Sequence, residues 1–282
     1  MKEELLRKLQ TKIMGRSVYY FQCTDSTNIQ AVLAAKNGAR HGAVFVAEKQ
    51  TAGKGRRGRT WESPAGKNLY FSLLLKPDFA PDKAAMLTLV MAVAVARALQ
   101  KSAKSLGLCL QGTATKDGCG LQAGLWAIKW PNDLVMNGKK ICGILTEMSL
   151  DQNRIGHVVI GVGINVESQE FASELVDKAT SIEAECGQVL SKELLLAEIL
   201  KSFEELYEIF QKTCDLSVLQ AEYEELLVNK DREVCVLDPK GEYRGIARGI
   251  NATGELLVER EEGALETVYA GEVSVRGIYG YV

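Results

Sequence analysis

The sequence has 282 residues, 46% of them hydrophobic, and a formal net charge of −2, enough for one large domain or a main domain with a small companion. The mildly acidic balance argues against a general nucleic-acid or membrane-surface role, which requires a broad basic face. Seven scattered cysteines without a C-x-x-C pair, and only two histidines, His41 and His157, argue against a disulfide scaffold, a zinc site or a Ser-His-Asp triad.

In chain order, Leu5, Leu6, Leu9 and Ile13 fall at helical spacing, so an amphipathic helix is expected over residues 3–14. Charges through the first ten residues leave no apolar core for a signal peptide, and a cytoplasmic protein is expected. Residues 18–23 read as a strand. Asp25-Ser26-Thr27-Asn28 then precedes a helix reaching about Asn37, and helix capping is the first reading of those four residues. Residues 43–50 form the strand that delivers the most unusual stretch.

That stretch, residues 49–61, holds five cations (Lys49, Lys54, Arg56, Arg57, Arg59) and no acid, interrupted by Gly53, Gly55 and Gly58. Residues 53–58 match G-x-G-x-x-G, and residues 53–60 miss the phosphate-loop pattern only at Arg59. Both motifs require a helix immediately after the glycines. Here a turn through Pro64 and Gly66 leads into a strand over 69–75, so both readings fail. A cationic loop remains, expected to be mobile until an anion arrives. Taken alone, it suits anion wrapping, a solvated basic turn or attraction to nucleic acid equally well.

Residues 84–101 are apolar nearly all round, as in a helix buried against a sheet; the run 84–96 is too short for the ~20 residues of a membrane span. Residues 106–124 are glycine-rich and without period, a surface insertion of no assigned role. A strand over 125–129 ends at Lys129-Trp130-Pro131-Asn132-Asp133. Asn137-Gly138 signals a tight hairpin. Its second strand, 140–148, is expected to pair with 155–166, an apolar run suited to the middle of a sheet. Gly161 and Gly163 within that run suggest a close approach by a ligand or another backbone. Helices follow at 180–186, 192–213 and 216–227. From Arg232 onward, short strands at even spacing suggest a small β-barrel, with a boundary near 229–231.

Gly53-Lys54-Gly55-Arg56-Arg57-Gly58-Arg59 together with Lys129-Trp130-Pro131-Asn132-Asp133 closely resembles the biotin protein ligases. The resemblance extends to Asp25-Ser26-Thr27-Asn28, Gln50, Gly143-Ile144-Leu145 with Glu147, Gly161-Val162-Gly163-Ile164-Asn165 and Gly271-Glu272-Val273-Ser274-Val275-Arg276. It implies an α+β fold: a mixed or antiparallel central sheet flanked by helices (residues 1–229), with an SH3-like β-barrel behind it (230–282). It implies that biotin and ATP, with Mg²⁺ accompanying the nucleotide, form biotinyl-5′-AMP, and that a lysine of a biotin carboxyl carrier domain then displaces AMP. It also implies no DNA partner, since only about sixteen residues precede the first strand, no membrane partner, and room for a homodimer.

By the same resemblance Lys129 and Arg56 are catalytic, bringing two anions together. Ser26, Thr27, Asn28, Gln50, Lys54, Gly55, Arg56, Lys129, Gly161 and Gly163 would bind biotin. Gly53, Lys54, Arg56, Arg57, Arg59, Trp61, Asn132 and Arg276 would bind ATP and the adenylate, Trp61 near the adenine. No residue is expected to ligate a metal directly. Lys54 stands where the family commonly has Arg, keeping the charge but losing the bidentate fork.

Overall fold

The β-branched and aromatic runs of the sequence assemble as β1 (Val18–Phe21), β2 (Val44–Ala47), β3 (Leu69–Leu75), β4 (Trp126–Lys129), β5 (Asp133–Met136), β6 (Lys139–Asp151) and β7 (Arg154–Ile164). They form one seven-stranded sheet in the order β1-β2-β3-β7-β6-β5-β4. Among the described residues β1 and β2 run parallel and the other strand pairs of this sheet are antiparallel. The apolar β7 takes the centre. The computed structural model describes residues 1–105, 126–238, 241–270, 274–277 and 281–282. The insertion expected at 106–124 and residues 271–273 of the last motif lie outside the described residues.

Side chains alternate across the sheet, so its two faces carry different partners. Val44, Val46, Leu73, Leu75, Val158 and Ile160 face the large core built with α3 (Leu87–Ser105) and α5 (Lys192–Thr213). Phe45, Leu74 and Val159 point the other way, against Ala31 of α2 (Thr27–Lys36). The face next to α2 also carries Ser72, Gly161 and Gly163, and it becomes the floor of the site. Tight turns match the sequence signals: Asn137 and Gly138 have φ of 49° and 78°, and Gln152 and Asn153 have φ of 46° and 66°.

The first helix departs from expectation. α1 covers only Lys2–Lys8, because residues 12–14 find other partners for their backbone. The Glu204 carboxylate of α5 accepts the N–H groups of Lys12, Ile13 and Met14 at 2.6, 2.7 and 2.9 Å. Those donors are satisfied without helix.

After α4 (Ile182–Cys186), α5 and α6 (Gln220–Leu226), a second sheet forms from β8 (Glu233–Asp238), β9 (Gly241–Ile250), β10 (Leu256–Glu259), β11 (Leu265–Val268) and β12 (Ser274–Gly277). It is antiparallel, in the order β11-β10-β9-β8-β12. Its inward residues Val234, Val236, Ile250, Leu256 and Val258 join the same apolar cluster as the large sheet. Trp130 Nε1 donates to Gly254 O at 2.9 Å across the junction, fixing the second sheet behind the Lys129–Asp133 turn. Among the described residues no helix is long and apolar enough to cross a membrane.

Candidate active site

A cavity of about 450 Å³, counting its open mouth, lies over the α2 face of the sheet. One end is polar and closely hydrogen-bonded. Ser26 is the N-cap residue of α2 but makes no side-chain capping bond. The Asp25 carboxylate fixes that turn instead, accepting from Ser26 N–H at 2.6 Å and Gln30 Nε2 at 2.9 Å. This corrects the capping reading: the buried Ser26, Thr27 and Asn28 line the cavity. Thr27 donates its N–H and hydroxyl to Gln50 Oε1 at 2.8 and 3.2 Å, and Gln50 Nε2 donates to Ser63 Oγ at 3.0 Å. Asn28 Nδ2 donates to Glu147 Oε2 at 2.6 Å. Ser72 Oγ lies 2.8 Å from Thr27 Oγ1 and 2.5 Å from Asn28 Oδ1, and its single proton serves one of them at a time.

The glycines make these approaches possible. A Cβ on Gly161 would stand 2.0 Å from Asn28 Oδ1, and one on Gly163 would stand 2.6 Å from Trp61 Nε1. Gly143 pairs with Gly163 across β6 and β7, and the Trp61 ring rests over both. Trp61 therefore covers the stretch of sheet that also carries the residues expected to face biotin. Among the described residues its buried Nε1 has no hydrogen-bond partner.

The cationic loop is tied into a small hairpin. Lys54 bridges Thr60, Gly55 N–H donates to Arg59 O at 2.7 Å, and Trp61 N–H donates to Gly53 O at 2.9 Å. Gly53 is buried, and a Cβ there would stand 2.3 Å from Trp61 O. At the tip Arg57 and Gly58 adopt φ of 59° and 72°. Arg56 turns inward: Nη1 donates to Asn132 Oδ1 at 2.9 Å and Nη2 to Ala270 O in the turn just after β11. Burial lowers its guanidinium pKa, opposed by Asp133 and helped by Arg57 and Arg59. Arg57 and Arg59 are exposed, and Lys54 Nζ reaches Glu147 Oε1 at 3.5 Å.

Beyond Arg56 lies a charged knot. β4 ends at Lys129 and the chain turns through Trp130 and Pro131 to Asp133, which is paired with Lys129 in register. Lys129 is only 5% exposed. Its ammonium lies 3.8 Å from the centre of the Tyr281 ring, and Tyr281 donates its hydroxyl to Asp133 Oδ2. Lys140 Nζ stands 2.6 Å from Asp133 Oδ1. Burial pushes Lys129 down to about 8; Asp133 opposes this, and Lys140, Arg276 and Arg59 add to it. Burial alone would raise Asp133, but Lys140 and Lys129 hold it below the usual carboxylate range.

Of the residues singled out from the sequence, Ser26, Thr27, Asn28, Gln50, Lys54, Gly55, Arg56, Trp61, Asn132, Gly161 and Gly163 line the cavity. Gly53 lies beneath its rim, Arg57 and Arg59 point outward, and exposed Arg276 on β12 acts on Lys129 through its charge. Lys129 stands behind the wall, under Tyr281. Sequence reasoning assigned no role to Ser72, Lys140 or Tyr281, and it gave Gly143 and Glu147 only as parts of a motif. Ser72 was a visible signal, the one small polar side chain inside the apolar and aromatic run of β3. The period-two spacing of Gly143, Leu145 and Glu147 likewise marked one face.

A polar pocket leads into clustered cations on a mixed sheet, an arrangement that suits a class of protein bringing two anionic groups together. The model of the "Biotin/lipoate A/B protein ligase family" matches residues 20–165, and that of the "Biotin protein ligase C terminal domain" matches residues 231–276. The chain is 35% identical to the bifunctional ligase/repressor BirA of Bacillus subtilis (strain 168) over 269 residues, 95% of this chain and 76% of that protein. It is 32% identical to the biotin–[acetyl-CoA-carboxylase] ligase of Paracoccus denitrificans over 257 residues, 90% of this chain and 98% of that one. Among solved structures, the biotin protein ligase from Aquifex aeolicus in complex with biotin and ATP superposes with a TM-score of 0.74 at 27% identity, covering 93% of this chain and 99% of that one. The chain belongs to the biotin/lipoate A/B protein ligase family.

Proposed function

We infer that the chain is a biotin–protein ligase. It condenses biotin with ATP to biotinyl-5′-AMP and pyrophosphate, then passes the biotinyl group to a lysine of a biotin carboxyl carrier domain of the acetyl-CoA carboxylase type. The observation that carries this reading is the polarity of the cavity, which runs from the Thr27–Asn28–Gln50 network to the Arg56, Asn132 and Lys140 end.

Thr27, Asn28 and Gln50 offer both donors and acceptors, as a neutral ureido group requires. The biotin carboxylate then points toward the cations, where it meets the α-phosphate of ATP. Two anions brought together repel, and fixed positive groups at their junction lower that repulsion and stabilise charge developing in the transition state. Arg56, braced on Asn132, and Lys129 supply that charge; Arg57, Arg59 and Arg276 complete a cationic surround for the outgoing phosphates. Magnesium enters with the nucleotide as part of the substrate, held largely by phosphates and water. The acyl group passes directly from the mixed anhydride to the acceptor amine, so no protein nucleophile is required.

Residues 1–229 are proposed as the ligase unit and 230–282 as a small unit closing the nucleotide side, an arrangement supported by the Arg56–Ala270 contact. We place the reaction in the cytoplasm, in keeping with scattered thiols; among the described residues Cys23, Cys142, Cys186, Cys214 and Cys235 are free. Isotope exchange between pyrophosphate and ATP tests the proposal. Exchange that depends on biotin and ignores lipoate is expected; dependence on lipoate alone overturns the reading in favour of a lipoate ligase.

A further inference from the structure

We propose that Lys140 is a second catalytic lysine of adenylate formation, the cavity-side cation that meets the phosphates of the nucleotide. The assignment rests on the biotin-ligase reading and deepens it.

Asp133 stands between two lysines that differ in access. Lys129 is sealed under Tyr281, whereas Lys140 lines the cavity beside Asn132 and Arg56. The backbone is built to put it there. The β5–β6 pairing runs Leu134 to Cys142 and then Val135 to Lys140, stepping over Ile141. Strict alternation would give Ile141 the cavity face shared with Gly143, and Lys140 the core face shared with Cys142. The bulge reverses this: Ile141 is fully buried in the core and Lys140 swings to the cavity. The outer side of the strand clamps the result, since Lys140 N–H donates to Lys178 O at 2.7 Å and Lys140 O accepts from Thr180 N–H at 3.0 Å.

Space is provided as well. A Cβ on Gly143 would come within 3.1 Å of Lys140 Nζ, so the bare α-carbon lets the ammonium lie over the sheet, 5.1 Å from the Trp61 ring centre. Asp133 holds Lys140 at 2.6 Å, and Lys140 is its largest charge support, with Lys129 and the Tyr281 hydroxyl beside it. If Lys140 turns to a phosphate, the Tyr281 hydroxyl and the Lys129 charge still compensate the carboxylate.

In the step itself a biotin carboxylate oxygen forms a bond to the α-phosphorus. The bond from that phosphorus to the bridging oxygen breaks, and pyrophosphate leaves with the electron pair. Lys140 contributes charge and transfers no proton.

The test compares Lys140→Met and Lys140→Arg with wild type in biotin binding by calorimetry without nucleotide, and in biotin-dependent pyrophosphate–ATP exchange. For Lys140→Met we expect biotin affinity within about 2-fold of wild type, and exchange reduced about 100-fold with a raised KM for ATP. Lys140→Arg should recover a substantial part. A folded Lys140→Met with unchanged exchange and KM for ATP overturns the assignment, as does an equal loss of biotin binding and exchange. Amine-selective labelling of the wild-type protein gives a readout independent of any variant: MgATP with biotin should protect Lys140, and unaltered labelling overturns the assignment. Failure of the underlying reading shows differently, as a wild-type protein without biotin-dependent exchange.

Discussion

The Lys129 ammonium sits 3.8 Å from the centre of the Tyr281 ring, while the Tyr281 hydroxyl binds Asp133, the counter-charge of that same lysine. One side chain from the end of the sequence thus covers the lysine and grips its partner. Burial is the first cause of the depressed Lys129 pKa, at about 8. Below that value the side chain is an ammonium, and above it a neutral amine. If adenylate formation needs the ammonium, kcat/KM for ATP falls as pH rises through about 8. Tyr281→Ala rehydrates the lysine, so this alkaline limb should move up by about one unit or more toward the ordinary lysine value. A pH–rate profile of both proteins checks this; a limb fixed near 8 in Tyr281→Ala contradicts it.

The same lysine is a cost to folding. Its folded pKa lies below the unfolded one, so the ammonium is less comfortable in the fold than in water. The penalty is fully present below about pH 8 and disappears as pH rises past the ordinary lysine value. Lys129→Met should lose at least about 100-fold in exchange and yet, because Lys140 and Tyr281 still hold Asp133, gain about 1–3 kcal/mol of stability at pH 7, with the gain shrinking toward pH 10. Urea denaturation at the two pH values measures it.

Gly161 is the tightest point of the biotin end. Gly161→Ala puts a methyl group 2.0 Å from the present position of Asn28 Oδ1, so the amide must move and leave Ser72 and Glu147. We expect KM for biotin to rise at least about tenfold, the size of one or two lost hydrogen bonds. Gly156→Ala, on the same strand, meets nothing closer than 3.4 Å and should leave KM unchanged. Steady-state kinetics on the two variants decide the matter.

Glu204→Gln tests the anchor of the chain's first residues. A carboxylate accepts three backbone N–H groups there, and an amide replaces one acceptor oxygen with a donor facing them. Stability should fall by about 1–3 kcal/mol with exchange activity unaltered in the folded protein. Denaturant midpoints read it directly.

Local signals in the sequence carried much of the fold. The 3.6 period of Leu196, Ile199, Leu200, Phe203, Leu206 and Phe210 marked the buried face of α5 over its full length, and Asn137-Gly138 marked its hairpin. Paired motifs far apart in sequence marked the cavity, because a loop of cations and Lys129-Trp130-Pro131 make one site only when brought together. Features set by distant contacts were not legible. The opening helix stops short because of Glu204, some 190 residues away. Ser26 reads as a cap, and only the contacts of Thr27 and Asn28 with Gln50, Ser72 and Glu147 turn that stretch into a cavity wall. Lys140 stood in the sequence only as part of a hairpin strand, with no sign that the bulge at Ile141 would turn it inward, and Tyr281 gave no sign that it would cover Lys129.

The most direct test of the account is transfer of labelled biotin to a purified biotin carboxyl carrier domain, followed with and without ATP. We predict label on the carrier lysine only when biotin, MgATP and the wild-type protein are all present. No label under those conditions, or equal label without ATP, would contradict it.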